Sequence, residues 1–123
     1  MANDSLSPQF EVFAENHQRK LENWRRTLQA LREHGRTAVV WGAGSKGVTF
    51  LNALGTGDLI RYVVDLNPRK QGRFIAGTGQ EIVAPEFLQG RAVDCVILMN
   101  PIYEKEVRER LRSLDLHPDL LLA

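Results

Sequence analysis

A doubly wound α/β fold, with a mostly parallel sheet of four to five strands, is predicted by three observations. The segment Gly42-Ala43-Gly44-Ser45-Lys46-Gly47 reads G-x-G-x-x-G and lies between an apolar β-like run at 37–41 and a helix-like run at 48–54. After Gly35, β-like and α-like stretches alternate, which favours parallel strands joined by crossovers. The stretch Val93-Asp94-Cys95-Val96-Ile97-Leu98-Met99 is nearly all apolar, the pattern of a strand covered on both faces.

Residues 1–7 are polar and read as a flexible leader. Ser7 and Pro8 suit an N-cap and a first helical position. Phe10, Phe13, His17, Leu21, Trp24, Leu28 and Leu31 then recur at steps of three and four, one stripe of a long amphipathic helix over 8–34. Gly35 ends it. The stripe is expected to pack on the sheet of its own chain. The alternative is a docking helix that meets another domain or a second copy in a homodimer.

Residues 35–123 read as a single α/β domain. A strand at 37–41 feeds a helix at about 46–54, and Gly55-Thr56-Gly57-Asp58 turns the chain into a strand at 60–65. Asn67-Pro68, Gly72, Gly77 and Gly79 make 66–80 an extended loop. A short strand at 81–84 precedes a short helix that opens at Pro85 and stops near Gly90. The strand at 93–99 leads to Asn100-Pro101, which caps a helix running to about Leu114, and 119–122 forms a last strand.

The chain of 123 residues is long enough for one domain and too short for two. Sixteen basic and fifteen acidic residues leave a net charge of +1, which gives no reason to expect nucleic acid or a membrane surface as partner. A lone cysteine, Cys95, permits no internal disulfide and builds no metal cluster. No apolar run approaches the ~18 residues of a membrane span. The first residues lack the apolar centre of a signal peptide, so the cytoplasm is the expected location.

Chemistry concentrates on the expected C-terminal edge of the sheet. In a G-x-G-x-x-G turn the first glycine allows the bend. The second lets a phosphate approach the backbone, and the third lets the helix pack on the strand. Gly42, Gly44 and Gly47 take these places, with Ser45 and Lys46 opening the helix. Asp65 ends the second strand roughly 20 positions on, where such folds carry the acid that binds a ribose hydroxyl. Its other reading is a loop cap. Lys46 opposes the helix dipole, a conflict that a bound anion would relieve. Arg69, Lys70 and Arg73 follow the second strand and either meet a phosphate or are simply solvated. Asn100 and Tyr103 offer an amide and a phenol to a sugar or base, or else cap and pack an ordinary helix start. His17, His34 and His117 fall in no nucleophile or metal spacing. Cys95, inside an apolar strand, is expected to be buried and inert. These residues describe a binding site and no catalytic set.

Three blocks in order carry a family resemblance. They are Val40-Trp41-Gly42-Ala43-Gly44-Ser45-Lys46-Gly47 with Asn52, then Tyr62 to Arg73 continuing through Gly77-Thr78 to Ile82 and Pro85, and Asn100-Pro101-Ile102-Tyr103. The chain after Gly35 resembles the Rossmann-like C-terminal domain of sugar C-methyltransferases. The resemblance implies a parent enzyme that uses S-adenosylmethionine to methylate a carbon of a nucleotide-linked deoxysugar. Family members hold that cofactor, the base chemistry and a zinc-binding region in other domains. This chain is therefore expected to help bind the nucleotide sugar, beside a catalytic domain or partner chain, and to transfer no methyl group alone. From the glycines and Asp65 alone, an NAD(P)-binding module is the alternative, and a ligand-free docking domain the third reading.

Overall fold

The computed structural model describes residues 8–55 and 59–123, with side chains from residue 17 onward. The expected leader, the Ser7 cap, residues 56–58 of the expected turn and the side chains of Phe10 and Phe13 lie outside the described residues. Helix α1 spans Pro8–Glu33, followed by β1 at Ala38–Trp41, α2 at Ser45–Leu54 and β2 at Ile60–Val64. Strand β3 covers Glu81–Val83 and leads into a 3-10 turn at Pro85–Leu88. Strand β4 (Cys95–Leu98), a second 3-10 turn (Pro101–Tyr103), α3 (Glu104–Ser113) and β5 (Asp119–Leu122) complete the order.

All five strands pair in parallel, in the order β3-β2-β1-β4-β5. This is the doubly wound arrangement that the alternating pattern predicts. The chain starts at the centre, builds outward through β2 and β3, then crosses to the other side of β1 for β4 and β5. Strands β1 and β4 are buried along their whole length, which explains why they read as unbroken apolar runs.

Side-chain alternation sorts the core into two layers. Ala38 and Val40 of β1 face a layer with Leu28, Phe50, Leu51, Leu54, Ile60 and Ile97. Val39 and Trp41 face the opposite layer, with Val64, Leu88, Leu98, Val107 and Leu111. Helices α1 and α2 thus cover one face, and α3 with the 3-10 turn at Pro85 covers the other.

The long first helix lies on its own chain through its described side chains. Leu21, Trp24 and Leu31 pack against the first layer, and Leu28 is fully enclosed in it. The Trp24 ring meets Phe50 edge-on, with centroids 5.5 Å apart and planes at 87°. Arg25 donates to the carbonyls of Ala53 at 2.9 Å and Leu54 at 3.4 Å. These are carbonyls that the last turn of α2 leaves unpaired, and a cation there also suits the helix dipole. His17, placed on the same stripe by spacing, is exposed.

Several boundaries differ from the sequence pattern for local reasons. Val93 and Asp94 precede β4 because the Asp94 carboxylate accepts the Thr37 N–H at 2.8 Å and ties the two loop ends together. The helix expected from Asn100 starts as the 3-10 turn, with Asn100 Oδ1 accepting the Ile102 N–H at 3.2 Å. Loop 66–80 is anchored by Asn52, whose amide donates to Val48 O at 2.9 Å and Ala76 O at 3.0 Å. A Cβ on Gly77, which sits at φ +91°, would overlap that Asn52 amide oxygen.

Trp24→Ala should lower the unfolding free energy by about 2 kcal/mol, less than truncation of a fully buried aromatic ring because this ring is only partly enclosed. Arg25→Ala should cost about 1 kcal/mol through the two lost hydrogen bonds. Urea denaturation of both variants measures this. Changes near zero would mean that α1 does not lie on α2 in solution.

Candidate functional site

The site begins where β1 ends. Gly42 has φ +120°, a conformation open to glycine and strained for other residues. Its N–H donates to Val64 O at 2.8 Å, fixing the turn to β2. Gly44 is the N-cap of α2, in extended geometry at φ −78° and without a side-chain cap. The N–H groups that open α2 at Ser45, Lys46 and Gly47 have no intrahelical carbonyl to bond.

The glycines act differently. A Cβ on Gly47 would overlap the Gly42 carbonyl oxygen, so this glycine is required for α2 to close on the turn. A Cβ on Gly44 would meet nothing within 4 Å, and its backbone angles suit any residue. Folding therefore does not require glycine at position 44.

Asp65, directly after β2, holds this turn from the side. Its Oδ2 accepts the Ala43 N–H at 3.0 Å, and its Oδ1 accepts the Asn67 N–H at 2.8 Å. Gln71 Nε2 donates to the Asp65 carbonyl at 2.8 Å. The carboxylate is a staple between the glycine turn and the loop after β2. Lys70 Nζ lies 3.5 Å from the Ala43 carbonyl, on the same turn.

A cleft of about 530 Å³ opens between the C-terminal ends of β1 and β4. Its floor is Trp41, Leu98 and Met99. Gly42, Gly44, Ser45, Lys46 and Gly47 form one wall, Asp65 and Leu66 a corner, and Asn100, Tyr103, Glu106, Val107 and Arg110 the other wall. The connections from β1 and β4 leave to opposite faces of the sheet here. In open α/β sheets such a crevice, at the reversal of strand order, is where ligands bind. An apolar floor with few polar groups at the rim is the usual make-up of a small-molecule site.

Of the residues singled out by sequence, Gly42, Gly44, Ser45, Lys46, Gly47, Asp65, Asn100 and Tyr103 come together in this cleft. Arg69, Lys70 and Arg73 do not line it. The Arg69 N–H donates to Asn67 Oδ1 at 3.0 Å, and this local turn leaves its side chain exposed. Leu66, Met99, Glu106 and Arg110 were missed. Glu106 and Arg110 are four apart on α3, three and seven positions after its N-cap residue Tyr103, and that periodicity carried the missing signal.

Arg110 is braced from behind. Its Nη2 lies 2.6 Å from Glu86 Oε2, a bridge from α3 to the 3-10 turn after β3. The Glu86 carboxyl is held below the usual carboxylate range, first by a backbone hydrogen bond within its own residue and then by Arg110. Cys95 is buried, and that burial raises its thiol above the ordinary value. Among the described residues no three His, Cys, Asp or Glu side chains are grouped to hold a metal, and no helix is long and apolar enough to cross a membrane.

Fold and cleft together define a Rossmann-like domain with a crevice at its strand-order switch. The chain belongs to the family described as the C-methyltransferase C-terminal domain, whose model matches residues 4–116. Comparison with curated proteins gave no significant match.

Gly47→Ala should destabilise the fold by about 3 kcal/mol, because the added methyl meets backbone that cannot yield without moving α2. A thermal melt within a degree of the parent would contradict the close approach. The depressed Glu86 carboxyl contributes stability that is present above its unfolded pKa and is lost as pH falls through the lower folded value. Glu86→Gln should therefore lose less stability than the parent between neutral pH and the acid side of the carboxylate range, as paired melts at the two conditions would show.

Proposed function

We propose that this chain is the substrate-side domain of a sugar C-methyltransferase that uses S-adenosylmethionine, and that its cleft takes the diphosphate end of a nucleotide-linked deoxysugar. The observation that carries this reading is Gly44. It faces open space, its conformation does not call for glycine, and it stands at the wall formed by Ser45 and Lys46. A ligand that must approach the backbone closely supplies the reason for its missing side chain. Lys46, an unfavourable charge in the first turn of α2, is compensated when a diphosphate lies beside it. Trp41 and Met99 offer the ligand's base or sugar an apolar surface. Asn100 can donate from its amide nitrogen, and Tyr103 from its phenol.

Methyl transfer falls to other parts of the parent enzyme. No side chain in the cleft has the arrangement of a nucleophile or of a base paired with an orienting group. The cation at the head of α2 suits an anion and opposes the sulfonium of S-adenosylmethionine, so that cofactor does not fit this wall. A catalytic domain or partner chain is the required companion. We place the protein in the cytoplasm, where nucleotide sugars are made and used.

A second reading, NAD(P) binding, is favoured by the strand order and by Asp65 at the end of β2. The Asp65 carboxylate, however, already accepts two backbone N–H groups. A ribose would have to share those oxygens.

Gly44→Ser separates folding from binding. Serine is at least as good an N-cap as glycine, so the variant should match or exceed the parent's stability by a few tenths of a kcal/mol. It should bind TDP-glucose and UDP-glucose at least about tenfold more weakly, because the new side chain occupies the approach to the backbone. Calorimetry measures affinity, and a thermal-shift panel adding NAD, NADP and S-adenosylmethionine measures selectivity. Stabilisation by NAD alone would transfer the site to the second reading. Equal affinity in parent and variant would remove Gly44 from it.

A further inference from the structure

A second groove lies at the opposite, N-terminal edge of the sheet, far from the strand ends that form the cleft. It encloses about 420 Å³ between the end of α1, the start of β2 and the segment after the Pro85 turn. Its partly exposed aliphatic side chains are Leu31, Leu59 and Val93, backed by the buried Leu28 and Leu88, and its rim carries Arg32, Arg36, Arg61 and Arg91.

Two of these arginines have structural partners. Arg36 pairs with Asp119 at 2.8 Å. Arg91 donates from Nε to Phe87 O at 3.0 Å and lies 3.8 Å over the Phe87 ring. The side chains of Arg32 and Arg61 have no hydrogen bond or ion pair to any described residue. They approach the groove from different elements, α1 and β2.

Arg61 reaches it through a break in the ladder. Ala38 pairs with Ile60 but Val40 pairs with Val63, so β2 carries one residue more than β1. Ile60 and Val63 both stay in the first core layer, while Tyr62 turns to the second. The extra residue in this stretch is Arg61 or its neighbour, and Arg61 is exposed at the groove rim. Bulges in parallel pairs are uncommon, and where they occur they often re-aim a side chain near a site.

We propose that this groove binds an amphiphilic organic anion, a phosphate monoester carried on an aliphatic chain. Guanidinium forks from Arg32 and Arg61 take the phosphate oxygens, a pairing suited to their planar geometry. Leu31, Leu59 and Val93 take the chain. The same head and tail occur in a free alkyl phosphate and at the surface of a phosphatidic acid bilayer. A volume of this size matches a small-molecule site.

The test uses the protein with octyl phosphate, inorganic phosphate and phosphatidylcholine vesicles with and without phosphatidic acid. Octyl phosphate should bind at least about tenfold more tightly than inorganic phosphate, and Arg32→Gln/Arg61→Gln should lose at least about tenfold of that affinity. Both side chains are exposed and without a partner among the described residues, so the double variant should melt with the parent. TDP-glucose should not displace octyl phosphate, which keeps this result independent of the cleft. Binding to phosphatidic acid vesicles that is lost in the double variant would assign the anion to a lipid surface. No binding to either source, equal affinity for octyl and inorganic phosphate, or unchanged affinity in the double variant would overturn the proposal.

Discussion

The backbone of the glycine turn and the first turn of α2 are in contact with no room for a methyl group at Gly47. The rest of the structure depends on this approach. It sets α2 flat on the first core layer, with Phe50, Leu51 and Leu54 inside. That position in turn offers Phe50 to Trp24 and the α2 carbonyls to Arg25, so α1 is seated through α2. The same contact turns the start of α2 toward the gap between β1 and β4. One steric constraint thus links the docking of two helices to the opening of the cleft.

Asp65 ties the arrangement to β2. Its two oxygens accept backbone N–H groups from the glycine turn and from the following loop. Such charge-assisted bonds are stronger than neutral ones, and they hold the turn against movement. The position is the one where dinucleotide folds keep a ribose-binding acid. In this chain the carboxylate's visible work is to preorganise the turn. The opposite wall of the cleft is built by Asn100, Tyr103, Glu106 and Arg110, which come from the β4–α3 connection and from α3.

Much of this was legible in the sequence because steric and hydrophobic rules act locally. Unbroken apolar runs at β1 and β4 reflect burial on both faces. The three glycines mark a turn whose needs are set within six residues. Arg69 and Lys70 were harder to place, since charge alone does not say where a loop will carry it. Asn67 and Gln71 fold that loop back on Asp65, which leaves Arg69 exposed and brings Lys70 to the Ala43 carbonyl without lining the cleft. Glu106 and Arg110 were hidden for the opposite reason. They lie on a helix whose apolar face is short, and only the β4–α3 connection decides which side of it meets the cleft. Arg61 was invisible because a bulge has no sequence signature within an otherwise ordinary strand.

The central claim is that the crevice between β1 and β4 is the ligand site of this methyltransferase-family domain. Backbone amide NMR during titration with TDP tests it most directly, since it reports location as well as affinity. Saturable shifts are expected at Gly44, Ser45, Lys46 and Gly47 together with Asn100 and Tyr103, with little change at Arg32 and Arg61. Shifts scattered over surface cations, or none at the start of α2 at saturating TDP, would contradict it.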